Sequence, residues 1–488
     1  MRLSKIISAL QGVEIVGEKD WEREIAVLSV DSRKKVKSSL FICLEGENVD
    51  SHTLVKEATK NGAVAILAQK RVDTDLPLFV VQDTRKALSL VASTFYGEPS
   101  KCLKVVAITG TNGKTTTSYM LASILQAAGK RVGVIGTLGA FCGGRCFSSD
   151  LTTPDPIELH RLLAEMLARG IEWVVMEVSA HALYYKKTEG ITFAACIFTN
   201  LTQDHLDFFK NMSAYKEAKL SLFSSQVCPM AIVNGDDDVG REIVTMRKDQ
   251  DTCVYTLNTP SDRFAVVTDD TLKGTECMLN LNDKLYRASL HITGEYNVYN
   301  ALAAASCAEV LGFGEWISQG LSAVKSVKGR LQWIGRVYGA EIYVDFAHTP
   351  DGILKSLETL KKYCKGRLVC LFGCGGNRDQ SKRALMGETA AKQCDFCILT
   401  SDNPRYEDPL DIISQIEVGY RRFSTAYVIV PDRARAIDYA LDCLRAGDIL
   451  LIAGKGGEEY QEVMGIKYPF NDQDMVEKFL AQKGKNFS

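Results

Sequence analysis

The run VAITGTNGKTTTSYM, residues 106–120, decides the fold. An apolar stretch that reads as a buried strand runs into glycines and then into a helix-forming segment, KTTTSYMLASILQAAG. A helix N-terminus placed after such a loop offers unpaired backbone N–H groups and the positive end of the helix dipole, a ready site for phosphate. The Walker A pattern GxxxxGK[ST] would put its first glycine at position 108, where this chain has Ile108; the glycine comes two residues later, at Gly110. The loop is therefore a shortened GxxGKT form. Lys114 is placed to reach outer phosphates and the Thr115 hydroxyl to bind a magnesium ion.

Outward from the loop, apolar strands RVGVIG, WVVMEV, AACIFTN and MAIVNG alternate with helical or loop segments. That alternation predicts a parallel sheet with helices on both faces. A polar interval, roughly 245–290, carries short alternating strands, and the helical run NVYNALAAASCAEVLG follows it. After VKGRLQWIG the alternation resumes with EIYVDFA, RLVCLFG, FCILTS, AYVIVP and DILLIAGKGG. Upstream of the loop lie four short strand-like runs and one helical stretch, ending in a Gly-Glu-Pro-Ser cluster that reads as a linker. The expected architecture is α/β in three domains: 1–98, a central P-loop-type parallel-sheet domain over 99–328, and a doubly wound, Rossmann-like domain over 329–488.

Bulk composition narrows the partners. The 488 residues carry 46% hydrophobic and 24% charged side chains, and 58 basic against 60 acidic residues leave a net charge of −2. No electrostatic footprint for nucleic acid or an anionic membrane follows from that balance, so small molecules are the expected partners. The opening residues lack the pattern of a signal peptide, no uncharged apolar run is long enough to span a bilayer, and a cytoplasmic monomer is expected. Fifteen cysteines are read as small buried hydrophobes; Cys394 and Cys397 have CxxC spacing without a second pair to complete a zinc set.

Two further strand ends carry chemistry. In WVVMEVSAHAL, Glu177 closes an apolar run and sits at the carboxyl edge of the sheet, where open α/β sheets bind ligands and where a hard oxygen suits Mg²⁺. In IFTNLTQDHLDFF, Asp204 and His205 stand just past the next strand.

Taken together, GTNGKTTT, EVSAHAL, NLTQDHLDF, GEYNVYNALAA, VKGRLQ and VDFAHTPD resemble, in order and over nearly the whole chain, the ATP-dependent Mur ligases, which add amino acids to the peptide stem of bacterial cell-wall precursors. TTPDP (152–156), FGCGGNRD (372–379) and DNPR (402–405) are similar to the branch that adds the third residue. The resemblance implies that ATP converts the D-glutamyl carboxylate of UDP-N-acetylmuramoyl-L-Ala-D-Glu to an acyl phosphate, which an amine then attacks. It implies ATP contacts at Gly110, Thr111, Asn112, Gly113, Lys114, Thr115, Thr116, Asn297, Asn300, Arg330, Asp345 and His348. Catalytic roles fall to Lys114, Glu177, His205 and Lys219, with Thr115, Glu177, His205 and a carbamylated Lys219 holding Mg²⁺. Read from the residues alone, Lys219 is a solvated helix-face lysine.

The same resemblance places the nucleotide-sugar dipeptide against Ser32, Thr152, Thr153, Ser179 and Lys187, the last standing where the family usually has arginine. The incoming amine is implied to meet Arg378, Asp402, Asn403, Pro404, Arg405, Gly454 and Glu458. A guanidinium at 405 can take a carboxylate through two parallel hydrogen bonds, which argues for meso-diaminopimelate over lysine. Ala180, Phe209 and Gly457 also depart from the family's common serine and histidines. A nucleotide-driven switch gives no reason for Arg405, and FGCGGNRD lacks the spacing of a dinucleotide turn.

Overall fold

The computed structural model describes all residues except 18–20, 47–48, 148–150 and 485–488. The chain divides into two compact units, Met1–Ala107 with Lys130–Ala194, and Ile108–Gly129 with Ala195–Ser488.

In the first unit a five-stranded sheet runs in the order Glu14–Val16, Leu78–Val80, Ala63–Ala68, Ser39–Ile42, Val27–Ser29, parallel except for the antiparallel first strand. Its central strands read as unbroken apolar runs because both faces are covered: Leu40, Ile42 and Leu67 pack on one side, Phe41, Ile66 and Ala68 on the other. Three α-helices, Leu3–Ile7, Val55–Lys60 and Thr84–Phe95, accompany it instead of the single helical stretch expected, because the first two are too short to show a helical period. The stretch read as a linker is folded in: Pro99–Lys101 forms a turn, and buried Ser100 donates to the Gly190 carbonyl and accepts from the Thr192 N–H. The same unit contains Trp173–Glu177 parallel to Val132–Gly136, and the antiparallel strands Gly139–Cys142 and Arg145–Phe147 beside it.

The second unit contains the greater part of Phe193–Phe198, from Ala195 on, with Ala231–Asn234 and Thr252–Tyr255 paired in parallel to it in turn. An antiparallel meander follows, Arg263–Thr271, Gly274–Leu281, Lys284–Leu290, whose middle strand alternates buried and half-buried residues as a one-sided sheet should. Helix Glu295–Val310 is alanine-rich and buried along most of its length, which lets it pack closely along helix Lys114–Ala127. The six-stranded sheet beyond runs Gln332–Val337, Ala340–Asp345, Ile449–Ala453, Leu368–Phe372, Phe396–Leu399, Tyr427–Ile429. It is parallel but for its first edge strand and has apolar cores on both faces, the doubly wound arrangement expected. Cys394, Cys397 and Cys370 lie in one of those cores. A hairpin, Tyr460–Val463 with Ile466–Pro469, stands past the carboxyl end of Ile449–Ala453. Among the described residues no helix is long and apolar enough to cross a membrane.

Candidate functional site

The shortened loop is built by close contact with backbone and small polar groups. Gly110 has φ +151, and a Cβ there would fall 1.8 Å from the Thr199 hydroxyl; Gly113, at φ +86, would meet Asn300 Oδ1 at 2.3 Å. Both glycines are thus required by position as well as by conformation. Segment 199–202 supports the loop: Thr111 N–H donates to the Asn200 carbonyl (2.8 Å), Asn112 N–H to Asn200 Oδ1 (3.0 Å), and Thr199 Oγ1 to the Asn112 carbonyl (2.7 Å). Helix Lys114–Ala127 starts at Gly113 with no side-chain cap, so an anion can take the place of one. Lys114 Nζ donates to the carbonyls of Gly110 and Thr111, both at 2.9 Å, which folds the ammonium back over the loop. Thr115 and Thr116 are buried in the first turn.

Lys219 is not the solvated lysine that its helix suggests. It is 1% exposed, its Nζ donates to the Gly110 carbonyl at 2.8 Å and lies 4.9 Å from the centre of the Tyr215 ring. Burial, joined by the charge of Lys114 and opposed by Asp204, holds its pKa well below the usual lysine range. His205, in a left-handed conformation at φ +57, packs edge-on to the same tyrosine at 5.9 Å. Behind it Asp204 is buried and faces His205 Nε2 (3.4 Å), His348 Nε2 (3.5 Å) and Lys382 Nζ (3.1 Å). Burial works to raise its pKa, but the His348 contact and the charges of Lys382 and His205 outweigh it and hold the carboxyl well below the usual range.

The other residues expected to contact ATP gather around this loop. Arg330 stacks on Phe346 at 4.4 Å and donates to Thr115 Oγ1 at 2.8 Å. Asn300 bridges Asn297 (3.1 Å) and Thr117 (3.3 Å), and Asn112 donates to Asp351 at 3.0 Å. His348 Nδ1 meets the Phe346 carbonyl at 2.7 Å. Asp345 accepts from the N–H groups of Leu331 and Ala347, yet burial pushes its pKa up to about 6.

At the carboxyl edge of the six-stranded sheet a second cluster of charges meets. Arg405 has φ +53, unusual for a residue with a Cβ, and its backbone is fixed there by Arg405 N–H to the Glu462 carbonyl (3.0 Å) and Met464 N–H to the Arg405 carbonyl (2.7 Å). Its Nε donates to Glu462 Oε2 at 3.1 Å and its Nη1 to the Gly376 carbonyl at 2.9 Å. Glu462 is thus an internal counter-ion to Arg405. Fully buried Lys455 reaches Asn403 Oδ1 (3.0 Å), Glu458 Oε2 (2.9 Å) and Asp402 Oδ1 (3.9 Å). Asn403 Nδ2 donates to Glu458 at 2.9 Å, and Gly454 approaches Asp402 so closely that a Cβ would sit 2.5 Å from Oδ2. Pro404 packs its carbonyl against Gly376.

In the first unit, buried Glu177 accepts from the Thr137 N–H and hydroxyl, both at 3.0 Å, and a Cβ on Gly136 would collide with it. Thr152 Oγ1 lies 3.1 Å from Thr137 Oγ1, Thr153 donates to the Glu177 carbonyl and accepts from the Ser179 N–H, and Ser179 caps helix Ala180–Tyr184. Lys187 pairs with Asp155 at 2.7 Å. Ser32 stands apart from this group and donates to Glu57 Oε2 at 2.5 Å. Sequence reasoning did not single out Thr137, Lys382, Lys455 or Glu462. Each acquires its place through a partner at least 40 positions away or from a motif neighbour that looked unremarkable, so no local signal marks it.

The chain matches the Mur ligase middle domain over residues 108–308 and the Mur ligase glutamate ligase domain over 329–456. It is 38% identical to the UDP-N-acetylmuramoyl-L-alanyl-D-glutamate--2,6-diaminopimelate ligase of Caldanaerobacter subterraneus subsp. tengcongensis, over 99% of this chain and 100% of that protein. It is 41% identical to the protein of the same name from Syntrophomonas wolfei subsp. wolfei, over 95% and 96%. A solved structure of a ligase with that name superposes with a TM-score of 0.70 at 30% identity, covering 99% of each chain.

Proposed function

The chain belongs to the Mur ligase family, and we propose that it joins meso-2,6-diaminopimelate to UDP-N-acetylmuramoyl-L-alanyl-D-glutamate at the expense of ATP. The observation that carries this reading is one chain holding both the Gly110–Thr116 loop and the Asp402–Arg405 edge, where guanidinium and carboxylate groups stand side by side. A carboxylate does not condense with an amine at neutral pH. Transfer of the terminal phosphoryl group to the D-glutamyl carboxylate forms a new O–P bond as the bond to ADP breaks. The amine then attacks the acyl carbon, phosphate leaves with the bonding pair, and the amine gives up a proton. Each step has a better leaving group than direct condensation would. The negative charge on the transferring group is met by Lys114 and by the backbone N–H groups of the first helical turn.

Among the described residues no group of three or more His, Cys, Asp or Glu forms a metal cage. The donor set fits Mg²⁺ nevertheless, because that ion is commonly held by one or two carboxylates together with substrate phosphates. Within the second unit, Thr115, His205 and Lys219 as its carbamate would hold it, and Glu177 of the first unit is a carboxylate of the kind that ion takes; when bound, it neutralises phosphate charge. Lys219 is suited to carbamylation since burial favours the neutral amine, the form that attacks carbon dioxide and then loses a proton. Ser32, Thr152, Thr153, Ser179 and Lys187 bind the nucleotide-sugar dipeptide in this reading, and the enzyme works as a cytoplasmic monomer of three domains.

The test is product mass and phosphate release with ATP, Mg²⁺ and the nucleotide dipeptide, run with meso-diaminopimelate, with L-lysine and with no amine. Product with diaminopimelate is expected. Product with lysine alone would overturn the amine assignment, and phosphate release indifferent to every amine would overturn the ligase reading.

A further inference from the structure

The carboxyl edge of the six-stranded sheet holds an uneven set of charges that the family's contact residues alone do not explain. Arg378 and Arg405 both pack against Gly375: a Cβ there would lie 2.9 Å from Arg405 Nη1 and 3.6 Å from Arg378 Cγ. Burial, joined by the charge of Arg405, presses the Arg378 pKa downward, while Glu462 and two aspartates oppose it, so the three groups share one electrostatic neighbourhood. Among the described residues Arg378 makes no ion pair, and Glu462 is the carboxylate paired with Arg405. Of the two aspartates, Asp204 is held by Lys382 and Asp207 is solvent-exposed, so within the edge itself two guanidinium groups against Glu462 leave a net charge of about +1. At the other end Lys455 stands against Asp402 and Glu458, which leaves about −1. One carboxylate and one ammonium, the two charges of a single α-amino-acid head, complement that division.

We propose that Glu462 is a specificity-determining residue, one that trims the guanidinium end of this pocket to a single positive charge and competes with the ligand's carboxylate for Arg405. The inference rests on the amine specificity proposed above and deepens it. Geometry gives the reason. Glu462 occupies Nε of Arg405 and Gly376 occupies one proton of Nη1, so an incoming carboxylate has Nη2 and the other Nη1 proton to bind, with a like charge close by. A ligand without the distal carboxylate, such as L-lysine, leaves Arg405 still partnered by Glu462. The penalty for accepting lysine is therefore smaller than an unpaired guanidinium would impose. Glu462 softens the discrimination that Arg405 supplies.

The test is Glu462→Gln in the full-length protein, with KM measured for meso-diaminopimelate and for L-lysine at saturating ATP and nucleotide dipeptide, and with calorimetric titration of each amine alongside. The amide keeps the side-chain shape and an acceptor for Nε while removing the charge. The expected result is a diaminopimelate KM several-fold lower, a lysine KM several-fold higher, and a selectivity ratio shifted about tenfold, with the shift shrinking at high ionic strength. A diaminopimelate KM that rises would make Glu462 a mere support for Arg405 and overturn the inference, as would equal changes for both amines. Glu462→Asp, which retains the charge, is expected to keep the wild-type ratio, and a changed ratio there also counts against the proposal. Absence of product from the wild-type enzyme with every amine would instead strike the underlying ligase reading, and this inference with it.

Discussion

The phosphate loop and the amino-acid edge hold their charges in opposite ways. Around the loop, the amino groups of Lys114 and Lys219 both donate to the Gly110 carbonyl, at 2.9 and 2.8 Å, so they are held by a peptide dipole. At the amino-acid edge the charges hold each other: Arg405 with Glu462, Lys455 with Glu458, and fully buried Arg433 with Asp472, whose guanidinium also ties down the Ser401 and Ala453 carbonyls just before Asp402 and Gly454. A site for a highly charged triphosphate benefits from amino groups held in place over the loop by backbone carbonyls. At a site for one zwitterionic head, a charge already paired, as Arg405 is with Glu462, costs less when a ligand fails to meet it, so pairing tunes how strictly the ligand is chosen. On the proposed function, the first region would supply rate and the second choice.

Breaking the loop has the largest expected effect. Lys114→Ala should lower ligation at least about 10³-fold and abolish acyl-phosphate formation, read by phosphate release and by product mass. Ligation retained in that variant would remove the loop from the chemistry. Lys219→Ala is next, with a loss of about 10²-fold that a small carboxylate partly restores. Intact-mass measurement of the native protein should show the added carboxyl; a bare lysine together with no rescue would leave Lys219 a structural residue.

On the other side of the comparison, Arg405→Ala should raise the diaminopimelate KM by about 30- to 100-fold, equivalent to roughly 2–3 kcal/mol, with little change in the KM for ATP. Equal effects on both substrates would contradict separate roles for the two regions. The smallest effect is a pH dependence. Asp345, pushed up to about 6 by burial, is ionised above that pH and increasingly protonated below it. If its carboxylate accepts a ribose hydroxyl, the KM for ATP should rise several-fold as pH falls from 7 to about 5, and Asp345→Asn should flatten that profile at a uniformly higher KM. An unchanged profile in the variant would assign the dependence to another group.

How much of this was legible in the sequence follows the same division. Gly110, Gly113, Lys114 and Thr115 are read from a local strand, loop and helix, because their chemistry depends on backbone geometry set within ten residues. Lys219 was not: in YKEAKLSLF it looks like an exposed helix face, and only packing against Tyr215 and the loop carbonyl reveals it as buried. The Arg405–Glu462 pair joins residues 57 positions apart across a hairpin whose second strand is fully exposed, so neither spacing nor hydrophobic alternation signals it. The edge strand Gln332–Val337 escaped for a similar reason, carrying an exposed Trp333 where an inward apolar residue would have marked a strand. Most of the parallel strands were legible because they are apolar along their length and closed by a glycine or polar residue; Thr252–Tyr255, which starts on a threonine and alternates in burial, was read into the polar interval instead.

The most direct measurement of the central claim is the fate of oxygen-18 placed in the D-glutamyl carboxylate of the nucleotide dipeptide. The account predicts that one labelled oxygen per turnover leaves in the released phosphate, since the carboxylate oxygen becomes the bridging oxygen of the acyl phosphate and departs with phosphorus when diaminopimelate attacks. Phosphate released without the label, while amide product still forms, would contradict activation at the Lys114 loop.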